Sequence, residues 1–353
     1  MSAAFDPAGT RIAASDWTTG KAVIIDVAGG KVAGEVELRG RPAGVAWSPD
    51  GSRLYVAECD GGAVAEIDPA AMKVARRLAV GLRPAGIAIA PSGKVLLAAN
   101  GDSHSVSIVE IESGKELKRI PAEREPFAIS ITADGKSAIV SNLLPATRAT
   151  DIDHAAALTV IDLEKLEKAG CVRLPPGSTD VRQTATSPDG KVLYVARFSG
   201  GSILRVRLDD LAVETFWPAD GGAKRSLALD ASRGRLYATD MDRGSLFVLD
   251  LGTGRLVAEV PLGWNPNGLA LSPDGSRVYA CTRGPNGAEG YERPGPLAGE
   301  LVAVDAESLA VVGRQWGGNQ PTGLAVAPDG KRLVFTDFLD RRVEAYDTDM
   351  RER

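Results

Sequence analysis

The 353 residues are 44% hydrophobic and 25% charged with a net charge of −5, the balance of a chain that buries a full core and offers no basic surface to a nucleic-acid backbone. No apolar run reaches the roughly 18 residues that span a bilayer, and Met1 to Asp16 lack the basic and apolar regions of an export signal. Cys59, Cys171 and Cys281 are odd in number, widely spaced and free of CxxC or CxxCH patterns, so they read as small buried apolar residues rather than as disulfides, zinc ligands or haem attachments.

Followed along the chain, the sequence repeats itself. A loop signature recurs at Pro7-Ala8-Gly9, Pro49-Asp50-Gly51, Pro91-Ser92-Gly93, Ala133-Asp134-Gly135, Pro188-Asp189-Gly190, Arg233-Gly234, Pro273-Asp274-Gly275 and Pro328-Asp329-Gly330. Its glycines are 42, 42, 42, 55, 44, 41 and 55 residues apart, so two repeats carry insertions. The second repeat shows the common plan. An alternating stretch, 44–48, enters the Asp-Gly turn; a β-branched and aromatic run, 53–57, leaves it; a Gly-rich loop at 60–62 leads to 64–68; and 73–80 completes the unit. Period-two patterning bounded by Gly, Pro and Asp predicts strands, and Asp-Gly supplies the positive φ of a tight hairpin. Leu163 to Ala169 and Pro69 to Arg77 allow a helical turn each and no more.

A four-stranded repeat of this length cannot bury both faces alone, so the copies must stack. The expected fold is all-β: a single β-propeller over residues 1–353, with eight blades and seven as the alternative. The outer strand occurs only seven times, because little follows Val343 to Asp347. The last blade is therefore either three-stranded or completed by a segment upstream of Met1 that would also carry an export signal.

The stretches PAGVAWSPDGSRLYVAE, PAGIAIAPSGKVLLAAN, NGLALSPDGSRVYACT and PTGLAVAPDGKRLVFTD resemble the YVTN repeat of bacterial and archaeal β-propellers, and the resemblance covers almost the whole chain. HAAALTVIDL, RLPPGSTDVRQTATSPDG and WGGNQPTGLAVAPDGKRLVFTDFLDRRVEAYD are similar to segments of YncE-like members, with a more distant likeness to cytochrome d1-type propellers. The resemblance implies a periplasmic or extracellular location for the native form and a redox context, against a cytoplasmic one if Met1 is the true start. It specifies no catalytic residue.

Equivalent positions of several blades should build any site. Counting from each loop glycine, Asp16, Glu58, Asn100, Asn142, Arg197, Asp240, Thr282 and Asp337 end the second strands. Asp337, Asp16, Glu58, Asn100 and Asn142 form an arc of oxygens suited to calcium or magnesium, similar in residue types to the ion site of some six-bladed lactonases. The competing role is capping of strand ends. A second set, Arg41, Arg83, Arg182, Arg225, Asn265, Asn267, Asn319 and Gln320, starts the first strands and, with Arg197, suits a small anionic ligand; the competing role is solvated surface charge.

Insertions at 143–157 and 284–299 interrupt the loop between second and third strands of blades 4 and 7. They carry Arg148, Asp151, Asp153, His154, Glu289, Tyr291 and Arg293 as flaps over a ligand or protein partner, or as tolerated drift. His104 and His154, the two histidines, are expected on the rim of neighbouring blades, as metal or haem ligands or as solvated side chains, and no GxSxG-type nucleophile motif accompanies them. The leading expectation is a non-catalytic binding or scaffold propeller with a polar rim. The alternatives are a metal-dependent lactonase-like hydrolase or lyase and a redox accessory protein.

Overall fold

The computed structural model describes residues 2–142, 156–175, 181–290, 293–337, 339–340 and 342–350. The chain is an eight-bladed β-propeller. Blade 1 holds β1 (Ala3–Phe5), β2 (Arg11–Asp16), β3 (Lys21–Asp26) and β4 (Lys31–Glu37), and blade 2 holds β5 (Pro42–Trp47), β6 (Leu54–Glu58), β7 (Ala63–Asp68) and β8 (Lys73–Ala79). Blade 3 holds β9 (Pro84–Ile89), β10 (Val95–Asn100), β11 (Ser105–Glu110) and β12 (Glu116–Pro121), and blade 4 holds β13 (Pro126–Ile131), β14 (Ser137–Asn142), β15 (Ala157–Asp162) and β16 (Glu167–Arg173). Blade 5 holds β17 (Val181–Thr186), β18 (Val192–Arg197), β19 (Ile203–Arg207) and β20 (Val213–Trp217), and blade 6 holds β21 (Lys224–Asp230), β22 (Arg235–Asp240), β23 (Ser245–Asp250) and β24 (Leu256–Pro261). Blade 7 holds β25 (Pro266–Leu271), β26 (Arg277–Thr282), β27 (Glu300–Asp305) and β28 (Val311–Trp316); blade 8 holds only β29 (Pro321–Val326), β30 (Arg332–Asp337) and β31 (Arg342–Asp347).

Each sheet is an antiparallel meander in chain order. Neither expected helical turn forms at 69–77 or 163–169: both stretches are tight turns running into β8 and β16, and the described helix is one 3-10 turn at Cys59–Gly61. Tertiary pairing overrides the weak local preference.

Hairpin chemistry explains the repeat signature. Ser48 Oγ donates to Asp50 Oδ1 at 2.5 Å, and Asp50 in turn accepts the Ser52 N–H at 3.0 Å. Ser272 and Asp274 repeat this, as do Thr132 and Asp134. Gly51 follows with φ +69°, a conformation that favours glycine. The hydrogen bonds hold the Asp50 and Asp274 carboxyls down at about 2.

The blades fall into two compact units. Met1–Val181 with the pieces 188–190 and 209–212 forms the first, and the remaining residues from Arg182 to Arg353 form the second. Within each unit neighbouring blades bury apolar faces together. Ala13 and Ile24 of blade 1 pack on Leu54, Val56 and Ile67 of blade 2, and Leu246 and Val248 of blade 6 pack on Leu269, Val278 and Val302 of blade 7. First strands of successive blades pack closely, as β5, β9 and β13 do, whereas fourth strands barely meet. First strands are therefore the inner edge of each unit.

Gly44 and Gly86 make that approach possible in the first unit. A Cβ on Gly44 would stand 2.6 Å from the Ala85 carbonyl oxygen, and one on Gly86 would collide with that of Phe127. Backbone meets backbone there, with no room for a side chain.

Candidate functional site

Asp16, Glu58, Asn100, Asn142, Arg197, Asp240, Thr282 and Asp337 are the last residues of β2, β6, β10, β14, β18, β22, β26 and β30. In several blades the connection from the fourth strand of the preceding blade runs across this strand end, where its backbone groups need partners. Asn100 supplies them in blade 3: its Oδ1 accepts the Gly81 N–H at 3.1 Å while its Nδ2 donates to Ser107 at 2.9 Å. Asn142 donates to the Glu123 carbonyl at 2.6 Å. Glu58, fully buried, accepts the Arg39 N–H at 2.7 Å and pairs with Arg77 at 2.8 Å. Asp240 accepts the Ala223 N–H at 3.1 Å and pairs with Lys224 at 2.6 Å. Asp16 turns to its own loop and accepts from Thr18 and Thr19.

Asp337 differs. Its Oδ1 accepts the Asp340 N–H at 3.3 Å, but Oδ2 is buried with no hydrogen-bond partner among the described residues. Burial, reinforced by the charges of Asp340 and Glu344, pushes its carboxyl up to about 7. Among the described residues no three His, Cys, Asp or Glu side chains converge on a point where a metal ion would sit.

The arginine set separates into two registers. Arg41 and Arg83 precede the prolines that open β5 and β9, and each is held by a carboxylate from the loop after the second strand. Arg41 pairs with Asp60 at 2.7 Å, and Arg83 pairs with Asp102. Arg182 and Arg225 stand one residue inside the sheet, at the second positions of β17 and β21, which Asn267 shares in β25. The Arg182 side chain lies outside the described set. Arg225 donates to the buried Asn267, and Arg197 donates to Ser202 at 3.2 Å. Asn265 donates to the Gly284 carbonyl, Gln320 accepts from Arg283, and Asn319 binds Asp340.

Of the two histidines and the insertion residues, only some are described. His104 accepts the Glu125 N–H at 3.2 Å, whereas His154, Arg148, Asp151, Asp153 and Tyr291 lie outside the described residues. Glu289 and Arg293 form an exposed ion pair at 3.5 Å. In sequence both insertions fall between second and third strands, after β14 in blade 4 and after β26 in blade 7.

A cavity of about 410 Å³ lies along the inner edge of the first unit, walled by the first halves of β5, β9 and β13 and by Trp17. Its wall is largely apolar because Ala43 and Ala85 stand at the second strand position, where the second unit carries Arg182, Arg225 and Asn267. Phe127 is 47% exposed and Trp17 43% exposed, high values for aromatic rings. The Arg41 guanidinium lies 4.7 Å over the Trp17 ring. Residue counting missed this site. Its one signal is the Phe of Pro126-Phe127-Ala128, where two earlier repeats read Pro-Ala-Gly.

In the second unit the inner strands are stitched by side chains. Arg225 reaches Asn267, Asn267 Nδ2 reaches the Pro321 carbonyl at 3.4 Å, and the Leu227 N–H donates to Gln183 at 3.3 Å. Lys224, fully buried, stands where blades 2, 3, 4, 7 and 8 open with proline. It pairs with Asp240 at 2.6 Å and Asp220 at 2.8 Å, over the Phe247 ring. That cluster is fully paired and structural.

Comparison with known proteins agrees with the fold. Residues 184–353 match the family model of the SMP-30/gluconolactonase/LRE-like region, and residues 12–125 match that of the 7-bladed β-propeller lactonases. The second match spans only β2 to β12, so its blade number says nothing against the eight observed. Antigen Lp49 of Leptospira interrogans is 34% identical over 208 residues, 56% of this chain and 43% of that protein, so the chain spans less than half of this relative. Hydrazine synthase from Kuenenia stuttgartiensis superposes with a TM-score of 0.65 over 98% of this chain and 94% of that one, at 20% identity, a likeness of fold alone. The chain is thus a β-propeller with lactonase-like segments.

Proposed function

We propose that this chain is a ligand-binding β-propeller without catalysis of its own, and that its first unit holds a small aromatic anion. The cavity between β5, β9 and β13 carries the reading: it exposes Phe127 and Trp17 for stacking, and Arg41 stands over Trp17 to meet a negative substituent. Calorimetric titration with naphthalene-2-sulfonate tests it. Saturable binding should weaken at least tenfold in Phe127→Ala, and Arg41→Ala should weaken the sulfonate while sparing uncharged naphthalene. Absence of saturable binding, or indifference to both substitutions, overturns the reading.

The two lactonase-like matches favour a second reading, hydrolysis of a lactone with calcium or magnesium held by Asp16, Glu58, Asn100, Asn142 or Asp337. Against it, most of these polar atoms already serve their own blades. Lactone opening followed in a pH-stat decides: turnover abolished by chelator and restored by either ion establishes the hydrolase. A periplasmic or extracellular home goes with the binding reading and is checked by cell fractionation.

A further inference from the structure

The chain has five tryptophans, and three are engaged. Trp47 donates to the Ala4 carbonyl at 3.1 Å, Trp217 donates to Asp220 at 3.1 Å and packs edge-on against Phe247, and Trp17 lies under the Arg41 guanidinium. Trp264 and Trp316 differ. They are 65% and 52% exposed, and among the described residues neither indole N–H meets an acceptor and neither ring meets another ring or a cation.

The fold does not require an indole there. Trp316 is the last residue of β28, a position exposed in most blades and filled by Glu37, Ala79, Pro121, Arg173 and Pro261. In blade 5 the same position holds Trp217, whose ring and N–H are covered.

Strand register gathers the two rings. Trp316 stands opposite Glu300, so both side chains project from one face, and Arg314, two residues earlier on β28, shares it. Arg314 pairs with Glu300 at 2.8 Å and donates to the Leu262 carbonyl at 2.9 Å, which turns this face toward blade 6. Glu300 Oε2 lies 3.7 Å from where a Cβ on Gly263 would stand, and Trp264 is the next residue. The turn that carries Trp264 is fixed on its far side: Asn265 donates to the Gly284 carbonyl at 2.8 Å and accepts the Arg283 N–H at 3.1 Å. Single exposed apolar residues are ordinary, but two indoles flanking one ion pair are not.

We propose that Trp264, Glu300, Arg314 and Trp316, on the rim of blade 7, bind a neutral oligosaccharide. An indole face matches the C–H face of a pyranose ring and leaves the ring hydroxyls free at its edge. Among the described residues Glu300 Oε1 and Arg314 Nε make no hydrogen bond, so one accepts from and the other donates to those hydroxyls. Charge selects the class: Glu300 and Arg314 cancel, so the cluster favours no ion. An apolar protein surface suits it less, because the ion pair separates the rings.

The test titrates the whole 353-residue chain in a calorimeter with maltohexaose and cellohexaose, neutral chains of pyranose rings that differ in linkage. At least one should bind saturably. Trp264→Ala and Trp316→Ala should each weaken it at least fivefold without moving the melting temperature, whereas Trp316→Phe, which keeps a flat face, should weaken it less than threefold. Phe127→Ala, in the cavity of the first unit, should leave it unchanged, which separates this site from the one proposed above. Absence of saturable binding of both saccharides, binding indifferent to both alanine substitutions, or self-association of the chain that those substitutions abolish in sedimentation would each overturn the proposal.

Discussion

The inner strands of blades 2 to 4 and those of blades 6 to 8 hold equivalent places in their units and are secured by different means. In the first unit Gly44 and Gly86 bring backbones together, alanines line the remainder, and an apolar cavity stays open beside Phe127. In the second, arginine, asparagine and glutamine side chains bridge neighbouring blades and use the same space for hydrogen bonds. Gly268 of β25 packs closely on β29, as Gly44 does on β9, so the difference lies in the neighbouring second position, alanine in β5 and β9 and arginine or asparagine in β17, β21 and β25.

The comparison is broken most severely at Lys224. Lys224→Met leaves Asp220 and Asp240 without their buried cation and should cost about 3–5 kcal/mol in denaturant melts. Lys224→Pro with Asp240→Asn, which copies Pro84 and Asn100 of blade 3, should recover most of that loss.

Asp337 gives a pH test of the same strand-end position. The unfolded chain releases this proton near pH 4 and the folded chain holds it to about 7, so stability should fall as pH rises across that interval and level off above it. Asp337→Asn, an amide as at Asn100, should remove the slope and raise stability at pH 8 by roughly 2 kcal/mol, read from melts across pH.

Gly86→Ala should cost about 1–3 kcal/mol through collision with the Phe127 carbonyl, and in the second unit Asn267→Ala should cost about 1–2 kcal/mol by leaving Arg225 without this acceptor. Double-mutant analysis with Arg225→Ala isolates that coupling. The smallest effect is expected of Asp60→Asn. Arg41 and Asp60 are exposed, so the melting midpoint should hardly move while naphthalene-2-sulfonate binds more tightly in calorimetry.

The blades were legible because an Asp-Gly turn every few tens of residues and period-two runs encode them locally, and counting from each glycine found all eight strand ends. The partners at those ends were not legible: Arg77 for Glu58 and Lys224 for Asp240 come from other strands of the same blade. Arg41 and Arg225 read as one group since spacing alone does not reveal that one precedes a strand and the other lies within it. Trp17 and Phe127 are 110 residues apart in sequence and come to line one cavity only through packing of successive blades. Nothing local to Lys224 signals its burial; only comparison with the proline that opens the same strand in other blades singles it out.

The carboxylates at the hairpin tips set a floor on acid tolerance. Asp50 and Asp274 keep their charge to about pH 2, so these hairpins remain tied in solutions that neutralise most other acidic side chains. A propeller built on such turns should loosen in acid from between its blades, with individual meanders outlasting the packing that joins them.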